Sequence, residues 1–381
     1  MLMSFKQLSV SLALLLLTID AYALDVKQSQ ASPYVLEIIK DGLGVPWGMV
    51  FLSEDELIIT ERSGGIILLN MTSYQLKRLK AAPAIYAEGQ GGMLDVAVAP
   101  DYKQSGWIYF TFVREQSGKG VTVLARARLK GSSLTDWQDL LVTKSATDTD
   151  YHYGSRIAFD RQGHVYFTIG DRGKRPNGQD LSNHAGTVIR LKQNGAIPVD
   201  NPFVKQSGAL PEIWSYGHRN PQGISYDAEH HRLWSIEHGP RGGDEINQIM
   251  PGKNYGWPVI SYGKEYWGPV AVGESTHKRG MEQPVKQYTP SIAPGSLLFY
   301  SGKAFPAWKG NLFAGALKLQ HLNRVVLDNE GQAIAEERLL SSLHERIRGL
   351  AESPQGWIYL STDSGKIYRL RPVESSSNSD H

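Results

Sequence analysis

The sequence predicts an all-β fold, a six-bladed β-propeller of four-stranded antiparallel sheets. Two observations carry the prediction. A meander recurs along the chain (apolar strand, polar turn, β-branched or aromatic strand, turn, third strand), and helical periodicity between the copies is nearly absent. The first copy is GMVFLSEDELIITERSGGIILLN from Gly48, and the second is LDVAVAPDYKQSGWIYFTFV from Leu94. The third, RIAFDRQGHVYFTIGDRG from Arg156, is continued by GTVIRL. GISYDAEHHRLWSIEHGP from Gly223, LLFYSGKAFPAWKGNLFAGAL from Leu297 and LAESPQGWIYLSTDSGKIYRL from Leu350 complete a set of six. Their spacing, roughly fifty to seventy residues, is that of propeller blades carrying loop insertions. One meander cannot bury both faces, whereas six arranged radially pack each sheet on its neighbours. EERLLSSL near Glu336 is the one short helical candidate, and it reads as a loop.

Residues 1–23 read as something other than propeller. Lys6, the apolar run LSVSLALLLLTI and the small-x-small site Ala21-Tyr22-Ala23 make a secretory signal peptide, which predicts a soluble, exported, periplasmic protein. No later stretch approaches the roughly 18 apolar residues of a membrane span. The propeller is expected over 24–372, with a disordered polar tail over 373–381. The chain has no cysteine, which excludes thiol catalysis and thiolate metal sites and leaves stability to the core. Its 40 basic and 38 acidic residues are interspersed, so nothing points to a nucleic-acid or membrane-surface partner.

In a propeller, loops from different blades converge at one mouth of the central channel, so functional residues should recur at equivalent places in the repeats. Gln90 in GQGG, His152 in DYHYGSR, and Arg219, Asn220 and Gln222 in GHRNPQG all precede a first strand. Gly239 and Pro240 of EHGPRGGDE follow a second strand, as does Lys318, while Arg346 and Arg348 open the sixth copy. Taken singly, each has an ordinary reading: a turn, a solvated charge, a packed histidine. Their shared placement does not follow from turn chemistry. Arg346, Arg348 and Lys318 at one mouth suit a bound polycarboxylate, because guanidinium forks hold carboxylates well. Asp244, Glu245 and the carbonyls of Gly239 and Pro240 offer the hard oxygens that Ca²⁺ prefers. No strand–GxGxxG–helix unit, P-loop or serine nucleophile elbow is present.

EGQGGMLDVAVAPDY, YHYGSRIAFD, YFTIGDRG, GHRNPQGI, EHGPRGGDEIN, NYGWP, SIAPGSL and RIRGL, in this order, resemble the pyrroloquinoline quinone (PQQ)-dependent sugar dehydrogenases of the glucose/sorbosone dehydrogenase family, and within it the aldose sugar dehydrogenases. The resemblance spans nearly the whole mature chain. It implies PQQ and Ca²⁺ as cofactors and an aldose as substrate. His152 is then the general base at the C1 hydroxyl, Arg219 stabilises charge on the quinone oxygen, and Gln90 orients sugar and base. Asn220, Gln222, Lys318, Arg346 and Arg348 bind PQQ, beside Gly239 and Pro240, whose carbonyls help to hold its Ca²⁺. A second, structural Ca²⁺ takes the Glu245 side chain and the Tyr255 carbonyl. The product is an aldonolactone, and the electrons pass on to a quinone or redox protein. Three departures from the glucose-specific members predict a less basic histidine, a reshaped pocket and a broad sugar range. Tyr151 stands where they have Asp before the catalytic His, Arg172 replaces a Gln, and no Trp lies near Ser291. Two rivals remain at this point: a non-catalytic propeller that only binds, and a Ca²⁺-dependent lactonase. The cation cluster argues against the first; the shortage of acids at successive blade mouths argues against the second.

Overall fold

The computed structural model describes residues 26–374, so the expectations for 1–23 and for most of 373–381 lie outside the described residues. The described chain forms six sheets, each a run of antiparallel neighbours. Blade 1 comprises Pro46–Phe51, Glu56–Glu61, Ile66–Asn70 and Leu76–Arg78; blade 2 comprises Met93–Val98, Trp107–Gln116, Lys119–Lys130 and Ser133–Val142. Blade 3 runs Ile157–Phe159, His164–Ile169, Thr187–Lys192 and Ile213–Tyr216; blade 4 runs Pro221–Asp227, Arg232–Glu237, Asp244–Ile249 and Lys286–Tyr288. Blade 5 is Pro294–Phe299, Leu312–Ala316, Leu322–Leu327 and Ala333–Leu339; blade 6 begins with Ile347–Glu352, Ile358–Thr362 and Ile367–Pro372.

The chain's other end completes the sixth blade. Tyr34–Lys40 pairs with Ile367–Pro372, Leu36 opposite Leu370, and Val26–Lys27 lies outside it. This hydrogen-bonded join locks the ring. Sequence periodicity did not assign the strand at 34–40, because its partner lies more than three hundred residues away. A second correction concerns EERLLSSL. The segment is the outer strand Ala333–Leu339 followed by a 3₁₀ turn, Ser341–Leu343, and strand pairing rather than local propensity decides it.

Second strands such as Glu56–Glu61 and His164–Ile169 are buried almost throughout, whereas the outer Leu76–Arg78 is exposed. Face-to-face packing covers both sides of the inner strands and only one side of the rim. Five innermost strands carry a register shift near their mouth ends, at Pro46/Gly48, Met93/Val96, Pro221/Gly223, Pro294/Ser296 and Ile347/Gly349. Glycine is needed where these bulges crowd the axis. A Cβ on Gly48 would sit 2.7 Å from Asp95 Oδ1, and one on Gly223 would sit 2.6 Å from the Leu297 amide nitrogen.

One buried side chain ties the ring together. Arg156, at the start of blade 3, donates Nε–H to the Gln222 carbonyl of blade 4 (3.0 Å). Its Nη1 reaches the Trp47 carbonyl of blade 1 (3.2 Å) and Asp95 Oδ1 of blade 2 (3.0 Å). Its Nη2 reaches the carbonyls of Gly295 in blade 5 and Arg348 in blade 6. All five guanidinium N–H groups are used, and every blade is touched. Arg156 separates two openings of the channel. A cavity of about 610 Å³ lies among the far ends of the inner strands, and one of about 330 Å³ lies at the mouth where first strands begin and second strands end.

Candidate active site

The mouth cavity is lined by Arg62, Gln90, Asn220, Gln222, Arg346 and Arg348, with Trp47 and Tyr153 among its apolar walls. His152 lies beside it on the loop between blades 2 and 3, next in the chain to Tyr153 and hydrogen-bonded to Gln90, both of which line the cavity. Its backbone is left-handed, with φ 60°, a conformation that costs a non-glycine residue on the order of 1–3 kcal/mol and must be held by its surroundings. Gln90 Oε1 accepts the His152 N–H at 2.8 Å, and Asp171 Oδ1 lies 2.7 Å from the ring Nδ1. Arg172 fastens the same loop from behind, donating to the Tyr151 carbonyl and, at 2.9 Å, to the Thr149 carbonyl. Asp171 is itself fixed, because its second oxygen accepts the Trp257 indole N–H at 2.7 Å.

These contacts have a chemical consequence. A carboxylate at Nδ1 keeps the imidazole proton on that nitrogen and leaves Nε2 as the lone-pair face. Burial pushes the His152 imidazole below its ordinary value; the Asp171 hydrogen bond opposes this, and the charges of Arg219 and Arg172 add to the depression. Burial pushes the Asp171 carboxyl up, but His152 and Arg219 more than compensate, so it lies below the ordinary range. Position 151 offers no carboxylate, as expected, and Asp171 supplies one from the neighbouring strand end, although His152 stays below its ordinary value. Tyr151 stays 43% exposed, its ring edge-on to His152 at 4.8 Å between centroids. Arg172 is no wall of the pocket. It is fully buried, its guanidinium 3.6 Å from the Tyr153 ring centroid, and it acts on the site through the loop it holds and through its charge on His152.

Arg346 and Arg348 do not face each other as bare charges. Asp363 accepts from both, at 2.8 Å from Arg346 Nε and at 2.8 and 2.9 Å from Arg348 Nε and Nη2. One carboxylate for two guanidinium groups leaves net positive charge, to which exposed Lys318 adds; its backbone N–H is held by the Ile292 carbonyl (3.0 Å). Asn220 and Gln222 clamp Gly154: Asn220 Oδ1 accepts its N–H (3.2 Å) and Gln222 Nε2 donates to its carbonyl (2.9 Å). Arg219 Nη1 donates to the His238 carbonyl (3.2 Å), and its guanidinium lies 5.3 Å from the Trp257 ring centroid.

The EHGPRGGDE corner folds around its own acids. Asp244 accepts the N–H groups of Gly239 (2.9 Å) and Ala293 (2.8 Å), and burial pushes its carboxyl up to about 6. A void of about 20 Å³ nearby is lined by Gly239, Tyr255 and the carboxylates of Glu237 and Glu245. Burial and the charge of Glu237 push Glu245 upward, and only the Asn247 amide, 3.4 Å from each, bridges the two. A buried and a half-buried carboxylate around a space for one small sphere make a donor set that fits a hard cation. Among the described residues no cluster of three or more His, Asp or Glu side chains suits a metal, so backbone carbonyls must complete such a site.

Sequence reasoning missed Asp171, Glu237, Asp363 and Trp257. A signal for three of them was available. Glu237 ends a second strand, and Asp171 and Asp363 follow one, the position that also yields Lys318. Glu61 ends the second strand of blade 1 and accepts the Gly44 N–H (2.7 Å) and Arg78 (2.7 Å). The repeat thus places a buttressing carboxylate at this point in four blades.

A propeller whose mouth gathers a carboxylate-held histidine beside a cationic cleft has the layout of an acid–base site for a small polar or anionic ligand. The comparisons with known proteins name the family. Residues 43–369 match the family model described as glucose/sorbosone dehydrogenase. The aldose sugar dehydrogenase of Escherichia coli is 39% identical over 348 residues, covering 88% of this chain and 92% of that protein. Its crystal structure in the apo-form superimposes with a TM-score of 0.85 at 36% identity, covering 89% of this chain and 99% of that one. The PQQ-bound aldose sugar dehydrogenase of Streptomyces coelicolor gives 0.70 at 25% identity, covering 88% and 97%. The chain belongs to the glucose/sorbosone dehydrogenase family, and sugar dehydrogenase activity follows from that membership.

Proposed function

We propose that the protein oxidises the C1 hydroxyl of aldoses to aldonolactones with PQQ and Ca²⁺, and that His152 is the base. The observation that carries this is the 2.7 Å contact between Asp171 and His152 Nδ1, which leaves Nε2 to take the hydroxyl proton. When bound, PQQ supplies a two-electron acceptor for the C1 hydride, and Ca²⁺ supplies the Lewis acid that polarises its carbonyl. Gln90 holds the base in its left-handed turn. Arg219 would stabilise charge developing on the quinone oxygen, and Arg346, Arg348 and Lys318 would pair with cofactor carboxylates. Gly239, Pro240, Glu245 and Tyr255, with Glu237 added, are the oxygen donors for Ca²⁺. Export through residues 1–23 and a quinone or redox-protein acceptor belong to the same reading, and among the described residues no helix is long and apolar enough to cross a membrane.

The test is reconstitution of purified protein with PQQ and Ca²⁺, followed by dye reduction with a panel of aldoses. Turnover of several mono- and disaccharides, abolished by omitting PQQ, is expected. A protein that binds no PQQ while its mouth is intact contradicts the proposal.

A further inference from the structure

Residues 250–285 form a long insertion between the third and fourth strands of blade 4, and they do not stay at the far end where the third strand stops. The segment returns to the mouth. Lys264 and Arg241 exchange backbone hydrogen bonds at 3.1 Å, and a short hairpin continues with Glu265 N–H to the Val270 carbonyl at 2.8 Å. A Cβ on Gly263 would sit 2.4 Å from the Pro240 ring, so the base of this hairpin packs against the second-strand loop of blade 4. Its side facing blade 3 is tied down by a two-point ion pair, Arg175 to Glu265 at 2.7 and 2.8 Å. Arg175 lies four positions beyond Asp171, and its guanidinium is 5.7 Å from the centroid of Trp257, the residue that fixes Asp171.

At the tip of this anchored hairpin Tyr266 is 66% and Trp267 77% exposed. Strongly exposed aromatics are few among the described residues: Tyr74, Tyr151, Tyr266 and Trp267. All but Tyr74 stand on loops at the mouth. Leaving two large rings in water has a hydrophobic cost, and anchoring a long loop to present them beside a site is typical of functional segments. Their size selects the occupant. Two aromatic side chains offer about 300–500 Å², which suits one or two sugar rings and falls short of the roughly 800 Å² per partner of a stable protein interface. A pyranose has an apolar C–H face and a polar hydroxyl rim. It can lie flat on a ring while Arg241, Lys264 and water meet its hydroxyls.

We propose that Tyr266 and Trp267 form a stacking platform for the second and later rings of an oligosaccharide whose reducing end lies at His152. This rests on the sugar-oxidation reading above and names its substrate class as oligosaccharides oxidised at the reducing end. The test uses the PQQ- and Ca²⁺-reconstituted protein with methyl maltotrioside and methyl cellotrioside, which are blocked at C1, and with methyl glucoside for comparison. Binding is read by calorimetry and by tryptophan fluorescence, and glucose turnover is read in parallel. At least one trioside is expected to bind about tenfold more tightly than the glucoside, an advantage removed by Tyr266→Ala/Trp267→Ala. Glucose turnover should change less than about twofold, which also shows that the variant folds. Triosides that bind no better than the glucoside, or equally well to the double variant, overturn the platform while normal glucose turnover leaves the oxidation reading standing. Trioside binding lost in the double variant of a protein that oxidises no aldose supports the platform and removes the oxidation reading.

Discussion

Arg156 and Arg348 are joined by a hydrogen bond of 2.8 Å, yet they lie in regions built on opposite rules. At the axis every N–H of Arg156 is matched by a carbonyl or by Asp95, and the group is buried. Just above it, Arg346 and Arg348 share the single carboxylate of Asp363, and His152 is held in a left-handed backbone. Saturation makes the axis rigid. Incomplete pairing at the mouth leaves charge and lone pairs for a ligand. The lesson is that where a fold leaves polar groups short of partners on a rigid base, the shortage itself locates the site.

The largest effect should come from breaking the saturated side. Arg156→Met strands Asp95 and the carbonyls of four other blades, and a loss of about 3–5 kcal/mol in denaturant unfolding is expected. Unchanged stability would mean that the axis is no more demanding than the rim. At the mouth the pattern should reverse: His152→Ala should lower kcat by about 10²–10⁴-fold while the denaturant midpoint barely moves. A matching loss of stability would erase the contrast.

Arg172 tests the border between the two regions, since it is buried like Arg156 but holds the His152 loop. Arg172→Gln should cut kcat by roughly 10–100-fold through misplacement of the base, leaving KM and PQQ affinity nearly unchanged. It should also move the acid limb of the pH–rate profile. The base works in its neutral form, burial puts its midpoint below the ordinary imidazole value, and Arg172 depresses it further. Removing that positive charge must shift the limb toward higher pH; a limb that stays in place would reduce Arg172 to a packing residue. The smallest effect is expected at Lys318→Ala, a several-fold weaker PQQ affinity measured by titration of the apo-protein, because an exposed cation contributes about 1 kcal/mol or less.

Much of this was legible in the chain. Six meanders gave the blades, and the recurrence of unusual residues at strand ends brought Gln90, His152, Arg219, Lys318, Arg346 and Arg348 to one face. The carboxylates that buttress them escaped, although Asp171, Glu237 and Asp363 recur at equivalent places, because an acid in a turn is also ordinary turn chemistry. Arg172 was legible as an unusual residue but not in its effect. Position 172 could face the sugar or the core, and only the packing of Tyr153 and the carbonyls of Thr149 and Tyr151 decide that it faces the core.

The sequence by itself determined the number of blades and the three inner strands of their meanders, because strand period, turn chemistry and repeat spacing are local properties written along the chain. Tertiary structure decided the closure by residues 34–40, the six-blade role of Arg156, the pairing of His152 with Asp171, and the return of the hairpin bearing Tyr266 and Trp267 to the mouth. Each joins residues from different elements, many of them far apart in sequence. Contacts of that kind exist only after the ring has closed and low-dielectric burial has made each unmatched polar group costly enough to select one partner.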